Sequence, residues 1–236
     1  MAFNFQITST AKIAPKHGVR VLVYGRAGVG KTRLVVTAPR PFLISAESGL
    51  LSLRNHNIPV VELATIEQLD DIHRFFKESE EAKNYDTICI DSLTEIGEVI
   101  LSNAKPLVKD QRLAYGIMID KMHLLIRDFR DLQGKHVYFA AQEESVEIDT
   151  DVSILRAAMP GRKMGGKTPY HFDEVFRMEI KNDNNGVPHR VLRTKANYAC
   201  EAKDRSDALN ELEPAHLGKI FNKILAPPPV KTKEKK

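Results

Sequence analysis

A chain of 236 residues supports one well-buried domain and is short for two, so every motif has to share a single core. Hydrophobic residues make up 42% and charged residues 28%, the balance of a globular rather than a disordered chain, and no run of about 18 apolar residues offers a membrane span. A formal net charge of +4 is too small to require a nucleic-acid partner, and Cys89 and Cys200 form no CxxC pair or metal cluster. The opening MAFNFQITSTAKIAPKHG lacks the long apolar core of a secretory signal, so a reducing, cytoplasmic setting is expected.

In chain order, residues 1–17 read as an N-terminal extension and residues 18–225 as the folded core. Residues 19–24 read as a buried strand, and Lys31 to Ala38 as a helix that Pro39 and Pro41 end. PFLISAE (41–47) and PVVELA (59–64) read as strands, and IEQLDDIHRFFKESEEAK as a helix with Ile66, Leu69, Ile72 and Phe76 on one face. TICID (87–91) is another buried strand. A helix follows from Leu93, then the polar NAKPLVKDQRLAYG, then a helix with Met118, Met122, Leu125, Phe129 and Leu132 on one stripe.

HVYFAAQ (136–142) reads as a strand, whereas Glu143 to Tyr170, with Pro160, Gly161, Gly165 and Gly166, reads as a long loop. DEVFRMEI and HRVLRT form a hairpin across NDNNGVP, Pro214 opens a last helix to about Leu225, and residues 226–236 read as a disordered Pro/Lys-rich tail. Short apolar strands alternating with helices predict an α/β fold: a mostly parallel central sheet with helices on both faces and a C-terminal β-hairpin.

GRAGVGKT (Gly25, Arg26, Ala27, Gly28, Val29, Gly30, Lys31, Thr32) fits the phosphate-loop pattern G-x-x-x-x-G-K-[ST], and it has a buried strand before it and a helix after it. That context points loop N–H groups and the positive end of a helix dipole at phosphate. Lys31 is assigned to the β and γ phosphates, and the Thr32 hydroxyl to Mg2+. GRKMGGKT (161–168) fits the same pattern, but it has no convincing strand before it and Pro169 follows directly, so it reads as a Gly/Lys surface loop. The implied cofactors are ATP and Mg2+.

Asp91, at the end of TICID, is the carboxylate expected to hold the magnesium shell, and it also suits the cap of the following helix. The next residue is Ser92, not the glutamate that many motor ATPases place there, so the base has to come from elsewhere. Glu47, just past PFLISA, is the candidate, because parallel strands deliver their C-terminal ends to one crevice. Gln142, ending HVYFAAQ, is the candidate sensor of the γ-phosphate. No NKxD motif is present and Asp91 does not open a DxxG, which disfavours a GTPase.

Taken together, GRAGVGKT, FLISAE, TICIDS and YFAAQ resemble the RecA-type recombinase core, and more narrowly the compact phage-encoded RecA-like proteins of the Sak-type single-strand annealing group. The resemblance implies a RecA-like P-loop NTPase that assembles as a ring or filament on single-stranded DNA, alongside a single-strand binding protein. It assigns catalytic roles to Glu47 and Gln142. It assigns DNA contact to Lys105, Lys109 and Arg112 in the polar connection, and to Arg156, Arg162, Lys163 and Lys167 in the long loop, with Met164 or Tyr170 supporting a base. It assigns action across the subunit interface to Lys195, Lys203 and Arg205. The alternatives are a nucleotide kinase and an ATP-switched helicase loader or accessory protein.

Overall fold

The computed structural model describes residues 4–5, 7–9, 18–47 and 49–227. Most of the N-terminal extension, and residues 228–236 of the C-terminal tail, lie outside the described residues. The elements are β1 (Arg20–Gly25), α1 (Lys31–Leu34), β2 (Pro41–Ser45), β3 (Val60–Glu62), α2 (Gln68–Glu78), β4 (Thr87–Asp91), α3 (Leu93–Ala104) and α4 (Gln111–Arg130). They continue with β5 (His136–Asp149), β6 (Val152–Ala157), α5 (Arg162–Lys167), β7 (Glu174–Asn182), β8 (Pro188–Arg193), β9 (Lys203–Asp204), β10 (Leu212–Pro214) and α6 (Leu217–Leu225).

The strand order is β10-β8-β7-β1-β5-β4-β2-β3, with β6 paired to β5 and β9 to β7. Pairing is parallel from β7 through β1, β5, β4 and β2 to β3, and antiparallel where β8 and β10 extend the edge. The central strands are mostly apolar because both faces are covered. Leu22, Tyr24, Ile88, Ile90 and Phe139 pack on one face against α2, α3 and α4. Val21, Val23, Leu43, Cys89 and Tyr138 alternate to the other face, where Leu34, Ile220 and Phe221 cover them. This is the RecA-like P-loop NTPase arrangement that the sequence predicts.

Four expectations require correction. The segment after Gln142 is not a loop: β5 runs on to Asp149 and turns back antiparallel as β6, then α5 and a 3-10 turn (Thr168–His171) follow. α4 begins at Gln111, inside the supposed polar connection, because the Asp110 carboxylate caps it by accepting from Arg112 N at 2.9 Å. Pro214 ends β10, and the last helix starts at Leu217 with His216 as its cap. The helix after the phosphate loop is one turn of α-helix followed by a 3-10 turn (Val35–Thr37).

Glu174 is 1% exposed, and its Oε2 has no hydrogen-bond partner among the described residues. Burial, with the nearby Asp204 carboxylate adding to it, pushes its pKa up to about 8. A carboxyl raised in the folded state gives stability that is full below its unfolded pKa, near the ordinary 4.5, and is lost as pH rises towards 8. Thermal unfolding should therefore show a lower Tm at pH 8.5 than at pH 6, and Glu174→Gln, which cannot ionise, should shrink that difference.

Candidate nucleotide site

β1 ends at Gly25, and the chain turns through residues 26–30 before α1 starts at Lys31. Gly28 (φ 75°) and Gly30 (φ 111°) occupy the left-handed region, which explains glycine at both positions. Because α1 is a single turn, it contributes little macrodipole, so anion recognition rests on loop N–H groups and Lys31. Lys31 Nζ donates to Gly25 O at 2.8 Å and to Arg26 O at 3.1 Å, closing the loop on itself. Burial lowers the Lys31 pKa, while Asp91, Glu47 and Glu143 oppose that fall. Tyr138, buried on β5, donates to Lys31 O at 2.9 Å and anchors the first turn to the sheet.

Register delivers the remaining groups. Gly25 pairs with Gln142, so the candidate sensor stands beside the mouth of the loop. Ser45 pairs with Asp91, which brings Glu47, two residues past Ser45, to the end of β4. Asp91 is 4% exposed and lies beside the Thr32 side chain. Burial raises its pKa, Thr32 and Lys31 pull it down, and Glu47 pushes it up. Ser45 Oγ donates to Glu47 O at 2.6 Å, and Ser92 Oγ to Glu47 Oε1 at 2.5 Å. The Gln142 backbone N–H donates to Thr94 Oγ1 at 3.0 Å, and Thr94 Oγ1 donates to Ala158 O at 2.8 Å, which fixes the middle of β5 while the Gln142 side chain stays exposed.

The donors suit Mg2+. A buried carboxylate beside a hydroxyl at the start of α1 offers two oxygen ligands, and this metal takes one or two carboxylates together with phosphate oxygens. The described residues hold no cluster of three or more His, Cys, Asp or Glu side chains suited to a metal.

Arg190, which the sequence reading missed, belongs to the loop. Its Nε donates to Val29 O at 2.7 Å, and a Cβ on Gly30 would stand 2.6 Å from the same nitrogen. Only the tertiary fold brings it there, from 161 residues away on β8. A chain of ion pairs, Glu143–Arg177–Glu179–Arg193–Glu211, joins the middle of β5 to β7 and β8.

The other assigned cations divide. Arg156 pairs with Glu144 at 2.8 Å, its side chain is 12% exposed, and it packs against Gly165, so it serves the fold. Met164 is fully buried and does not offer a surface to a base, while Tyr170 is 80% exposed. Lys105, Lys109, Arg112, Lys163 and Lys167 are exposed, and the Arg162 side chain lies outside the described residues. Tyr115 on α4 stands 3.1 Å from a Cβ placed on Gly161, so the start of α4 lies against the residue that precedes α5.

Lys203 donates to Pro169 O and Phe172 O, and Arg205 pairs with Asp173. β9 joins β7 at Glu174 and Val175, which pair with Val21 and Leu22 at the end of β1 away from the loop. Lys195 is exposed.

A parallel sheet with a lysine-bearing glycine loop at one strand end, and a carboxylate, glutamate and glutamine at the neighbouring ends, defines a P-loop ATPase of the AAA/RecA-like type. The AAA domain model (AAA_24) matches residues 17–206, and the chain belongs to that family. A KaiC-like protein from the hyperthermophilic archaeon Pyrococcus horikoshii OT3 is similar at 15% identity and TM-score 0.41, over 75% of this chain and 77% of that one. No curated protein matches. No helix among the described residues is long and apolar enough to cross a membrane.

Lys31→Ala should abolish tight nucleotide binding. Arg190→Ala, by freeing Val29 O, should weaken it about tenfold without unfolding the chain. Fluorescence titration with a labelled ATP analogue, paired with a thermal melt, checks both.

Proposed function

We propose that the chain is a Mg2+-dependent ATPase that works on single-stranded DNA as an assembly of several copies, in recombination, annealing or a mediator role. The ATPase part is carried by one observation: Lys31, the Thr32–Asp91 pair and Glu47 converge at the C-terminal ends of β1, β4 and β2, and Gln142, midway along β5, lies opposite the end of β1.

Magnesium, when bound, would neutralise phosphate charge, with Thr32 and Asp91 holding it. In the reading proposed, Lys31 leaves the Gly25 and Arg26 carbonyls to meet phosphate oxygens. Glu47 accepts a proton from the attacking water, whose oxygen bonds to the γ-phosphorus. The bond from that phosphorus to the bridging oxygen breaks, and its electron pair leaves with ADP. Gln142 orients the water or the departing phosphate by hydrogen bonding.

The DNA part is supported by the approach of Tyr115, on the first turns of α4 that follow Lys105, Lys109 and Arg112, to Gly161, which directly precedes α5 with Lys163 and Lys167. The β5–β6 hairpin supplies the opposite charge, in Glu143, Glu144, Glu147, Asp149 and Asp151, so phosphate is disfavoured along it. Lys195, Lys203 and Arg205 remain the candidates for action on a neighbouring copy, and for Lys203 and Arg205 this requires exchange of the bonds each now makes within its own subunit.

Glu47→Gln should keep ATP binding and lose at least about 100-fold in hydrolysis. Normal turnover would remove Glu47 as the base. Reversing Lys109, Arg112, Lys163 and Lys167 to Glu should flatten the log–log salt dependence of single-strand binding by up to about 3 units for four lost contacts. An unchanged slope, or conversion of nucleoside monophosphates by the parent protein, would overturn the DNA reading.

A further inference from the structure

We propose that Ser92 is the positioning residue for the base: its hydroxyl holds the Glu47 carboxylate in the orientation from which it takes a proton from water. This rests on the assignment of Glu47 as that base.

Serine stands directly after the magnesium-shell carboxylate, and the base comes from β2. Ser92 Oγ has one proton to give. The hydroxyl oxygen caps α3 by accepting from Glu95 N at 3.3 Å, so its proton is left for Glu47 Oε1, 2.5 Å away. Ser92 is 1% exposed, which shields the bond from competing water.

Glu47 is fixed from a second direction. Ser45 Oγ holds its backbone carbonyl at 2.6 Å, and Ala46 N donates to Asp91 O at 2.8 Å, tying the end of β2 to the end of β4. With its main chain fastened and Oε1 engaged, the carboxylate has Oε2 left for water. A carboxylate so restrained loses little rotamer freedom at the moment of reaction. One residue therefore sets the distance between base and magnesium ligand, because Ser92 follows Asp91 in the chain and grips Glu47 across the strands.

The full-length chain is tested by single-turnover hydrolysis of radiolabelled ATP with Mg2+, which reads slow rates, and by equilibrium binding of a labelled ATP analogue. Ser92→Ala should slow hydrolysis about 10- to 100-fold with nucleotide affinity within about twofold of the parent. Ser92→Thr, which keeps the hydroxyl, should restore most of the rate. Ser92→Gly keeps the helix cap nearly intact, so it should be as slow as Ser92→Ala if the hydroxyl matters through Glu47, and near the parent if the cap alone matters.

The decisive arm is a double-mutant cycle. In a Glu47→Gln background, Ser92→Ala should cost little further rate. The same loss in both backgrounds would show that Ser92 acts on something other than Glu47 and would overturn the proposal. A fast Glu47→Gln single variant would instead overturn the assignment of the base, a different outcome from a fast Ser92→Ala.

Discussion

Parallel pairing in a particular register is the constraint from which the site follows. Gly25 opposite Gln142, and Ser45 opposite Asp91, bring the glycine loop, the Gln142 side chain, the buried Asp91 carboxylate and Glu47 to one end of the sheet. A shift of one residue would turn each apolar strand inside out, because Val21 and Val23 face one core layer while Leu22 and Tyr24 face the other. Burial of the two faces therefore fixes the chemistry at the tips. Inserting β5 between β1 and β4 separates the loop from Asp91 by one strand and gives Gln142 its place beside Gly25.

Electrostatics gives the site its second character. Lys31 sits among Asp91, Glu47 and Glu143 with its own charge partly desolvated, and it occupies itself with two loop carbonyls. A triphosphate alone would add negative charge to a carboxylate-lined crevice, which is why a divalent cation fits beside Thr32 and Asp91. Glu143 is in turn engaged by Arg177, and the ion-pair chain continues to Glu211. That chain and the Arg190 contact with Val29 make the C-terminal hairpin part of the nucleotide site rather than an edge ornament.

The parts legible in the sequence were those where burial or backbone geometry leaves one solution. The strands ending at Gly25, Ser45 and Asp91, and the buried half of β5 up to Gln142, announce themselves as apolar runs, and the loop glycines are needed where φ is positive. Glu47 could be nominated because parallel strands share an end. The β5–β6 hairpin was not legible: Val146, Ile148, Val152 and Ile154 alternate with polar residues, but these side chains are at best half-buried and form no sustained apolar face. α5 was read as loop because Gly165 and Gly166 argue against a helix; the structure uses Gly165 to admit the Arg156 guanidinium, a reason that exists only once β6 is folded. Arg190 carried no local signal, since its partner lies 161 residues earlier.

Lys31 leaving its own loop for phosphate is the event on which nucleotide recognition turns. A crystal structure grown with Mg2+ and a non-hydrolysable ATP analogue observes it directly. The predicted result is a triphosphate within residues 25–32, with Lys31 Nζ moved from the Gly25 and Arg26 carbonyls onto its oxygens and the metal between Thr32 and Asp91. An occupied nucleotide elsewhere on the surface, with Lys31 still bonded to those two carbonyls, would contradict it.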